Sequence, residues 1–352
     1  MKSFSWVLFK YCGVFPFNIK NAQQKFIISR SWRIWSVFVI LLTLIISFKR
    51  LQVYYNVTPD PHDADFIYNF IFQASPSLEI AEILLASYSM QWTSSMRKIS
   101  KCFQKVNFFA SNHFTRKLSS IVVIYITMLI VLLWCNVYLI VNAVGDFTLQ
   151  LDYVTDFIQT VLRSMHFMLI HEIMELINLN LIKSEIKLRD LNINDNFNQI
   201  IHDLTNTVEA YKEFSSLFQW IIKFHSIQCF YEVLLGLNRF ECVLFESTHG
   251  TVFGLSAINI FWWCFQCPIQ FLIICKVDAF MNKVQSLSDL TEKFYMKYKD
   301  PKVLSMRFHI NFNYKSFKFT ITKRAIFEFG CKIGSYYMII MQFSDLVLNE
   351  KK

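Results

Sequence analysis

Two short motifs in the sequence contain residue types that can bind a metal ion or transfer a proton. His171-Glu172-Ile-Met-Glu175 differs from the zinc-protease motif His-Glu-x-x-His in having Glu at the last position. Cys264-Phe-Gln-Cys267 has the spacing of half a zinc site, but no second pair completes a tetrahedral shell. We interpret the first motif as a polar contact within a helical bundle and the second as apolar packing.

Other signatures of catalysis are missing from the sequence. It has no Gly-rich phosphate loop and no nucleophile elbow. Its nine cysteines are scattered, without the spacings of a disulfide-stapled ectodomain, and most are expected to be small core residues. We therefore expect no enzymatic activity, no cofactor and no metal site.

Composition predicts the elements that must position any functional residue. The chain of 352 residues is 54% hydrophobic with a mean hydropathy of +0.34, which is too apolar for an ordinary soluble domain. Gly and Pro are few, and long apolar stretches recur with polar breaks, which is typical of membrane helices rather than barrel strands. We predict an all-α, polytopic membrane protein.

The formal net charge of +9 is distributed in blocks between the apolar stretches. A nucleic-acid-binding protein would instead need one continuous basic face. The blocks therefore indicate membrane orientation, and the expected partner is membrane lipid rather than nucleic acid.

Seven segments are long enough to cross about 30 Å of hydrocarbon, which takes roughly 20 helical residues. They are residues 34–54, 66–90, 118–142, 153–176, 216–238, 252–275 and 326–347. The second, fourth and fifth carry polar residues that make each less secure as a span, and such residues in hydrocarbon are candidates for function. These are Glu79 and Glu82 in the second segment, Arg163, His166 and His171 in the fourth, and Lys223, His225 and Glu232 in the fifth.

Charge asymmetry predicts the orientation of the seven segments. Residues 1–33 contain six lysines and arginines and no acid, so the positive-inside rule places them in the cytoplasm. The later loops alternate between basic and acidic in the order that this orientation requires. Seven crossings over residues 34–347 then leave residues 348–352 as an extracellular tail. Lys49 and Arg50 lie on the outer side and count against this orientation.

Three further features belong to the regions between the spans. The first outer loop holds the sequon Asn56-Val-Thr, a candidate glycosylation site. Helical extensions are predicted in the cytoplasm at about 177–215 and 276–325. The first carries an apolar stripe at helical spacing, which indicates either intramolecular packing or a subunit interface. The stripe consists of Ile201, Leu204, Val208, Tyr211 and Phe214.

The apolar run at the N-terminus is interrupted by Lys10 and is not followed by a small-x-small cleavage site. We interpret it as a retained segment that lies at the inner membrane surface.

A motif near each end of the chain resembles the insect gustatory receptor family. Ser335-Tyr-Tyr-Met-Ile-Ile-Met-Gln342-Phe343 is similar to that family's C-terminal signature, Thr-Tyr, five hydrophobic residues, Gln-Phe. Ser335 replaces Thr, and Tyr336, Gln342 and Phe343 are in register. Gly13-Val-Phe-Pro-Phe is similar to the Gly-x-x-Pro-Phe that commonly precedes the first span, and the inside N-terminus is inverted relative to G-protein-coupled receptors.

The resemblance implies a ligand-gated, non-selective cation channel of the plasma membrane, assembled as a homo- or heterotetramer in gustatory sensory neurons. The last helix of each subunit would line a shared pore, and a pocket in the outer half of spans two to six would bind a small-molecule tastant. Sugar-sensing members typically have Glu after the Thr-Tyr pair, whereas this chain has Tyr337. The resemblance therefore favours a bitter-type or unassigned ligand over a sugar.

The expected pore-lining residues share one helix face, because residues three and four apart stack on one side. They are Ser335, Met338, Ile339, Gln342, Asp345 and Leu346. Four copies of Gln342 would form an amide ring beside a hydrophobic constriction, and Asp345 an acidic outer ring. The alternative is that Gln342 forms a hydrogen bond between helices of one subunit. Gly330 and Gly334 would allow close helix approach at the start of this helix.

Polar and aromatic residues in the outer halves of the spans are the candidates for the tastant pocket, since such a pocket needs aromatic walls and a few directional polar groups. They are Tyr68, Arg163, His166, Tyr231, Glu232, Asn259, Trp262 and Trp263. The alternative for each is packing, which is the more frequent role of an aromatic residue on a buried helix.

Two other classes of receptor remain as alternatives. An insect odorant receptor shares the inverted topology but does not usually carry the full terminal signature. A G-protein-coupled receptor or a transporter requires the opposite orientation, and the sequence shows neither an Asp-Arg-Tyr after span three nor an internal repeat.

Overall fold

A computed structural model describes residues 4–20, 25–56, 77–88, 93–105, 147–189, 197–246 and 250–299, together with individual positions between 127 and 138 and between 324 and 342. Helix predominates throughout these ranges, which confirms the all-α class. The one departure within them is a small β-hairpin near the N-terminus.

The N-terminal segment begins with helix α1, Phe4–Tyr11, which ends in a glycine cap. Gly13 has φ +74°, and its N–H donates to the Lys10 carbonyl at 3.0 Å. The Val14 N–H donates to the Phe9 carbonyl at 2.9 Å, which completes a Schellman motif. The glycine of the Gly-x-x-Pro-Phe motif therefore has a local role, since it adopts the left-handed conformation that stops α1.

The chain then forms a hairpin of strands β1, Phe17–Lys20, and β2, Lys25–Ile28. The strands are antiparallel, with Phe17 opposite Ile28 and Lys20 opposite Lys25. The Ser29 N–H donates to the Pro16 carbonyl at 3.0 Å, which holds the base of the hairpin closed beside the next helix.

This segment folds into the core rather than resting on a surface. Phe9, Phe15 and Phe17 are almost completely buried, and the Phe15 ring meets Phe103 edge-on with centroids 6.0 Å apart. The sequence interpretation of a peripheral segment did not foresee this burial, because an apolar run shows that burial is favourable but not what it is buried against.

Helix α2, Arg30–Asn56, has the reverse of the amphipathicity found in soluble proteins. Its large apolar side chains point outward, and its small hydroxyl residues are buried. The exposed set comprises Ile34, Trp35, Val37, Phe38, Leu41, Leu42, Ile45 and Phe48, and the buried set Ser36, Thr43 and Ser47. The Thr43 and Ser47 hydroxyls donate to carbonyls four residues earlier, at 2.7 and 2.8 Å, so they need no water. This arrangement suits an apolar solvent.

Helix α3 covers residues 77–88, and α4 covers Thr93–Lys105. Apolar residues on one face of α4 are buried, namely Met96, Ile99, Cys102 and Phe103. The helix packs on β2 and on helix α7, Phe197–Glu246, where Lys105 pairs with Glu209. Burial raises the pKa of the Cys102 thiol to about 12, as expected for an inert core cysteine.

Three long helices form the centre of the structure. They are α6, Phe147–Arg189, α7, Phe197–Glu246, and α8, Gly250–Tyr298, and they pack against one another. At 1.5 Å per residue, helices of 43 to 50 residues are roughly 65–75 Å long. Each runs unbroken from a predicted span into a predicted cytoplasmic extension, and is about twice as long as the hydrocarbon is thick.

The apolar stripe predicted on the first extension lies on α7 and is packed inside the subunit. Leu204, Val208, Tyr211 and Phe214 are buried, and Ile201 is half-buried against the same core. The Tyr211 ring stacks on Phe280 of α8, with centroids 4.2 Å apart. Of the two interpretations of this stripe, the structure supports intramolecular packing.

The remaining described positions belong to two outlying helices. Residues 127, 128, 130, 131, 134, 137 and 138 are helical and form α5, and twelve positions from Arg324 to Gln342 form α9. Trp134 and Tyr138 on α5 are exposed, as are Phe327 and Met338 on α9. Both helices therefore present apolar side chains outward.

One helix in the described part of the chain is both long and apolar enough to cross a membrane, at Arg30–Lys49 within α2. Only 17% of its apolar stretch is buried. Of the seven predicted spans, the described residues therefore show one candidate.

The cap at Gly13 gives the first prediction. A Cβ there would lie 3.1 Å from Val39 Cβ and 3.3 Å from Ser36 Cα, in addition to the strain of positive φ. Gly13→Ala should therefore lower the free energy of unfolding by about 1–2 kcal/mol. The measurement is the thermal unfolding midpoint of the detergent-purified chain. Gly330→Ala is the matched control, because a Cβ there would meet no described atom within 4 Å. Equal midpoints for both variants would refute the role of the cap.

Candidate functional site

A buried cluster of charged and polar side chains joins α3, α6 and α7. Glu82 Oε2 lies 3.0 Å from Nε of Arg163, and Glu82 Oε1 lies 2.7 Å from Nδ1 of His225. The three side chains are more than nine-tenths buried. Since an isolated charge is very costly in such surroundings, the Arg163 guanidinium and the Glu82 carboxylate stabilise each other.

The position of each member follows from its helix. Glu82 and Ala86 are buried one turn apart on α3, so the carboxylate belongs to the inward face of that helix. On α7, His225 and Cys229 are likewise one turn apart, with Sγ 3.4 Å from Nε2 of the ring. The Phe167 ring stacks on His225 at 3.9 Å between centroids, which fixes the plane of the imidazole.

His166 lies one residue before Phe167 on α6 and is 9% exposed. Its Nδ1 is 2.8 Å from the Leu162 carbonyl oxygen of the same helix. Because a carbonyl only accepts, Nδ1 must carry the proton. Its Nε2 is buried and has no hydrogen-bond partner among the described residues.

Glu82, Arg163, His166 and Phe167 line a cleft with about 520 Å³ of empty space, counted out to its open mouth. We call it the α2–α6 cleft. Its walls are mostly apolar, and its polar groups are few. The lining residues are Cys12, Gly13, Val39, Ile40, Thr43, Glu82, Ile83, Ala86, Ser87, Leu162, Arg163, His166, Phe167 and Ile221. Apolar walls with a few convergent polar groups are typical of sites for small molecules.

The structure therefore brings together two of the predicted pocket residues, Arg163 and His166. Glu82 and His225, which complete the cluster, were not predicted as pocket residues. The available signal was an acid on one predicted span and bases on two others, since ionisable groups in hydrocarbon need partners.

The structure does not describe the side chains of the other predicted pocket residues. Tyr231 and Glu232 belong to α7, and Asn259, Trp262 and Trp263 to α8, but their side chains lie outside the described part. Tyr68 also lies outside it. Asn56 is the last residue of α2, and its side chain is likewise not described.

The N-terminal segment borders the cleft that contains Arg163 and His166, which were predicted in the outer halves of the spans. Cys12 and Gly13 line the same cleft, and both belong to the segment that charge asymmetry places in the cytoplasm. On that orientation the α2–α6 cleft lies in the inner half of the bundle.

The motif at His171 forms contacts between helices. His171 and Glu172 are buried, and Glu175 pairs with Lys276 of α8. Among the described residues, no group of three or more His, Cys, Asp or Glu side chains is arranged to hold a metal ion. The side chains of Cys264 and Cys267 lie outside the described part.

The expected pore stripe lies on α9. Ser335, Met338, Ile339 and Gln342 are helical and exposed, and the Ser335 hydroxyl donates to the Cys331 carbonyl at 3.0 Å. Tyr336 of the motif is also exposed. Asp345, Leu346 and Phe343 lie outside the described residues. A Cβ added at Gly330 or Gly334 would meet no described atom within 4 Å, so no described helix of the subunit approaches them there.

Comparison with known proteins provides no family assignment, since no family model matches the chain and no curated protein matches it.

Proposed function

We propose that this chain is the subunit of a ligand-gated, non-selective cation channel of the gustatory-receptor type, located in the plasma membrane. It would have seven spans, a cytoplasmic N-terminus and an extracellular C-terminus, and the agonist would be a bitter-type or unassigned small molecule. Four subunits would surround one pore, with α9 of each subunit at the axis.

The exposed stripe on α9 carries the proposal. Met338 and Ile339 are 59% and 45% exposed, which is unfavourable in water. Gln342 is exposed on the same face, and an amide is unfavourable in lipid. A face that contains both apolar side chains and an amide is best accommodated around the symmetry axis of several subunits. There the amides meet ions and water, and the apolar side chains form a constriction.

The inverted amphipathicity of α2 supports the membrane part of the proposal. Phe38, Leu41, Ile45 and Phe48 are all exposed on a helix long enough to span the hydrocarbon. In water, a patch of this size would promote aggregation.

The long central helices support the predicted cytoplasmic extensions. The aromatic core formed by Phe103, Phe214, Phe218 and Phe280 lies at the end of the bundle that contains the N-terminal segment. A compact core at that end would connect the ends of the spans in the cytoplasm and give subunits a rigid base on which to assemble.

The experiment that tests the proposal combines topology with stoichiometry. With tags at both ends, antibody on intact cells should reach only the C-terminal tag, and the purified chain should have the mass of four subunits. Exposure of only the N-terminal tag would contradict the orientation and favour a G-protein-coupled receptor. A monomer in gentle detergent and in nanodiscs would contradict the shared pore.

A further inference from the structure

We propose that the α2–α6 cleft binds a neutral, apolar molecule with a hydroxyl group, which donates a hydrogen bond to Nε2 of His166. The cleft contains Arg163 and His166, two of the residues predicted for the tastant pocket, and the proposal gives that part of the pocket a ligand class. It does not depend on the pore or on the number of subunits.

The protonation pattern of His166 defines what the ligand must offer. Because Nδ1 donates to the Leu162 carbonyl, a ring with one proton has a lone pair on Nε2. Nε2 is the other ring nitrogen, and His166 lines the cleft. This nitrogen is buried without a partner among the described residues, and such an acceptor is costly to leave unsatisfied. The missing partner is therefore a donor.

The charges of the cleft favour an uncharged ligand. Glu82 and Arg163 already pair at 3.0 Å. The second Glu82 oxygen meets Nδ1 of His225, whose other nitrogen lies 3.4 Å from the Cys229 thiol. Among the described lining residues, Glu82 is the one acid and Arg163 the one guanidinium, and their charges therefore compensate each other. A charged ligand would add an uncompensated charge, which is unfavourable at this depth.

The walls indicate the body of the ligand. Val39, Ile40, Ile83, Leu162 and Ile221 line the cleft from four helices, and Phe167 adds an aromatic face. An aromatic or alicyclic body would bury its apolar surface against them, while its hydroxyl reaches His166. Water alone would satisfy Nε2 but would leave the apolar walls hydrated.

Such a molecule has two sources, the bilayer and the aqueous phase. A membrane sterol and a dissolved aromatic alcohol share the required chemistry, a rigid apolar body with one hydroxyl. Cholesterol and benzyl alcohol are suitable probes, and toluene is the matched compound without the hydroxyl.

Cys12 provides the readout, because it is a half-buried cysteine that lines the cleft, and an occupant would shield it. Burial raises the pKa of this thiol to about 11, so at pH 9 about one thiol in a hundred is ionised and reacts. The full chain is reconstituted in phosphatidylcholine vesicles, with or without cholesterol. Alkylation by a maleimide is followed at each cysteine by peptide mass spectrometry. N-acetylcysteine dissolved in the same suspension is the reference thiol.

We expect benzyl alcohol or cholesterol to slow alkylation of Cys12 at least about threefold relative to the reference thiol, and toluene at the same concentration to have a smaller effect. His166→Phe should remove this difference. His202→Phe should keep it, because His202 lies on the extension of α7 and contacts Asn206. Protection by cholesterol identifies a membrane sterol as the ligand, and protection by benzyl alcohol alone identifies a small aromatic alcohol.

Two results would overturn the proposal: no protection by either hydroxyl compound, or equal protection by toluene and benzyl alcohol. Both are obtained with the unmodified chain, so the proposal can fail even if His166→Phe does not fold. Neither result involves ion currents, and failure here is therefore separate from failure of the channel proposal.

Discussion

Arg163→Met should destabilise the folded chain by about 3–5 kcal/mol and remove most of it from the cell surface, because it leaves the Glu82 carboxylate buried without its cation. The two side chains are 9% and 4% exposed, so water cannot replace the guanidinium. Met has a similar apolar stem, which limits the effect to the charge and its hydrogen bonds.

A second substitution tests this cause directly. In Glu82→Gln combined with Arg163→Met, no carboxylate remains, and we expect at least half of the lost stability to return. The measurements are the thermal unfolding midpoint of the purified chain and the surface fraction of a tagged chain. If the double variant is as unstable as Arg163→Met, the buried charge is not the cause.

Arg189→Met is the matched control for the loss of an arginine. Arg189 pairs with Glu185 at 2.6 Å within one helix, but its side chain is 60% exposed. Such surface pairs contribute roughly 0.3–0.5 kcal/mol, so this variant should behave almost like the unmodified chain. If Arg189→Met lost as much stability as Arg163→Met, the assay would not distinguish a buried ion pair from an exposed one.

Gln342→Ala should change the unitary conductance or the K⁺/Na⁺ permeability ratio at least about twofold while surface expression is retained. In four copies, the substitution would replace an amide ring, which substitutes for part of the hydration shell of an ion, by methyl groups. Because Gln342 is exposed on the subunit surface, its removal leaves no cavity inside the subunit. The measurement is single-channel recording of the purified chain in planar bilayers.

Gln285→Ala provides the matched control, since it removes an exposed amide from α8, where Gln285 contacts Asp289 at 3.3 Å. It should leave the conductance unchanged. A companion variant, Gln342→Cys in a Cys331→Ser background, should form intersubunit disulfides on mild oxidation if the stripe surrounds one axis. Unchanged currents in Gln342→Ala and the absence of these cross-links would together contradict the pore assignment.

Much of the local structure was predictable from the sequence because its causes are local. Recurring apolar stretches predicted helices, and the three-and-four spacing of Leu204, Val208 and Tyr211 predicted the buried face of α7. The first span was also recognisable, since α2 carries few charges. By contrast, strands β1 and β2 have four residues each, which is too short for a periodicity to be recognised.

The helical class, the apolar first span and the presence of ionisable residues in the predicted spans all followed from the order of the residues. The meeting of Glu82, Arg163 and His225 did not, because they come from three helices far apart in the chain. The order of the residues also did not show that Gly13 lies at the border of the same cleft. The pattern of one helix shows which side chains share a face, but which faces meet depends on packing between helices.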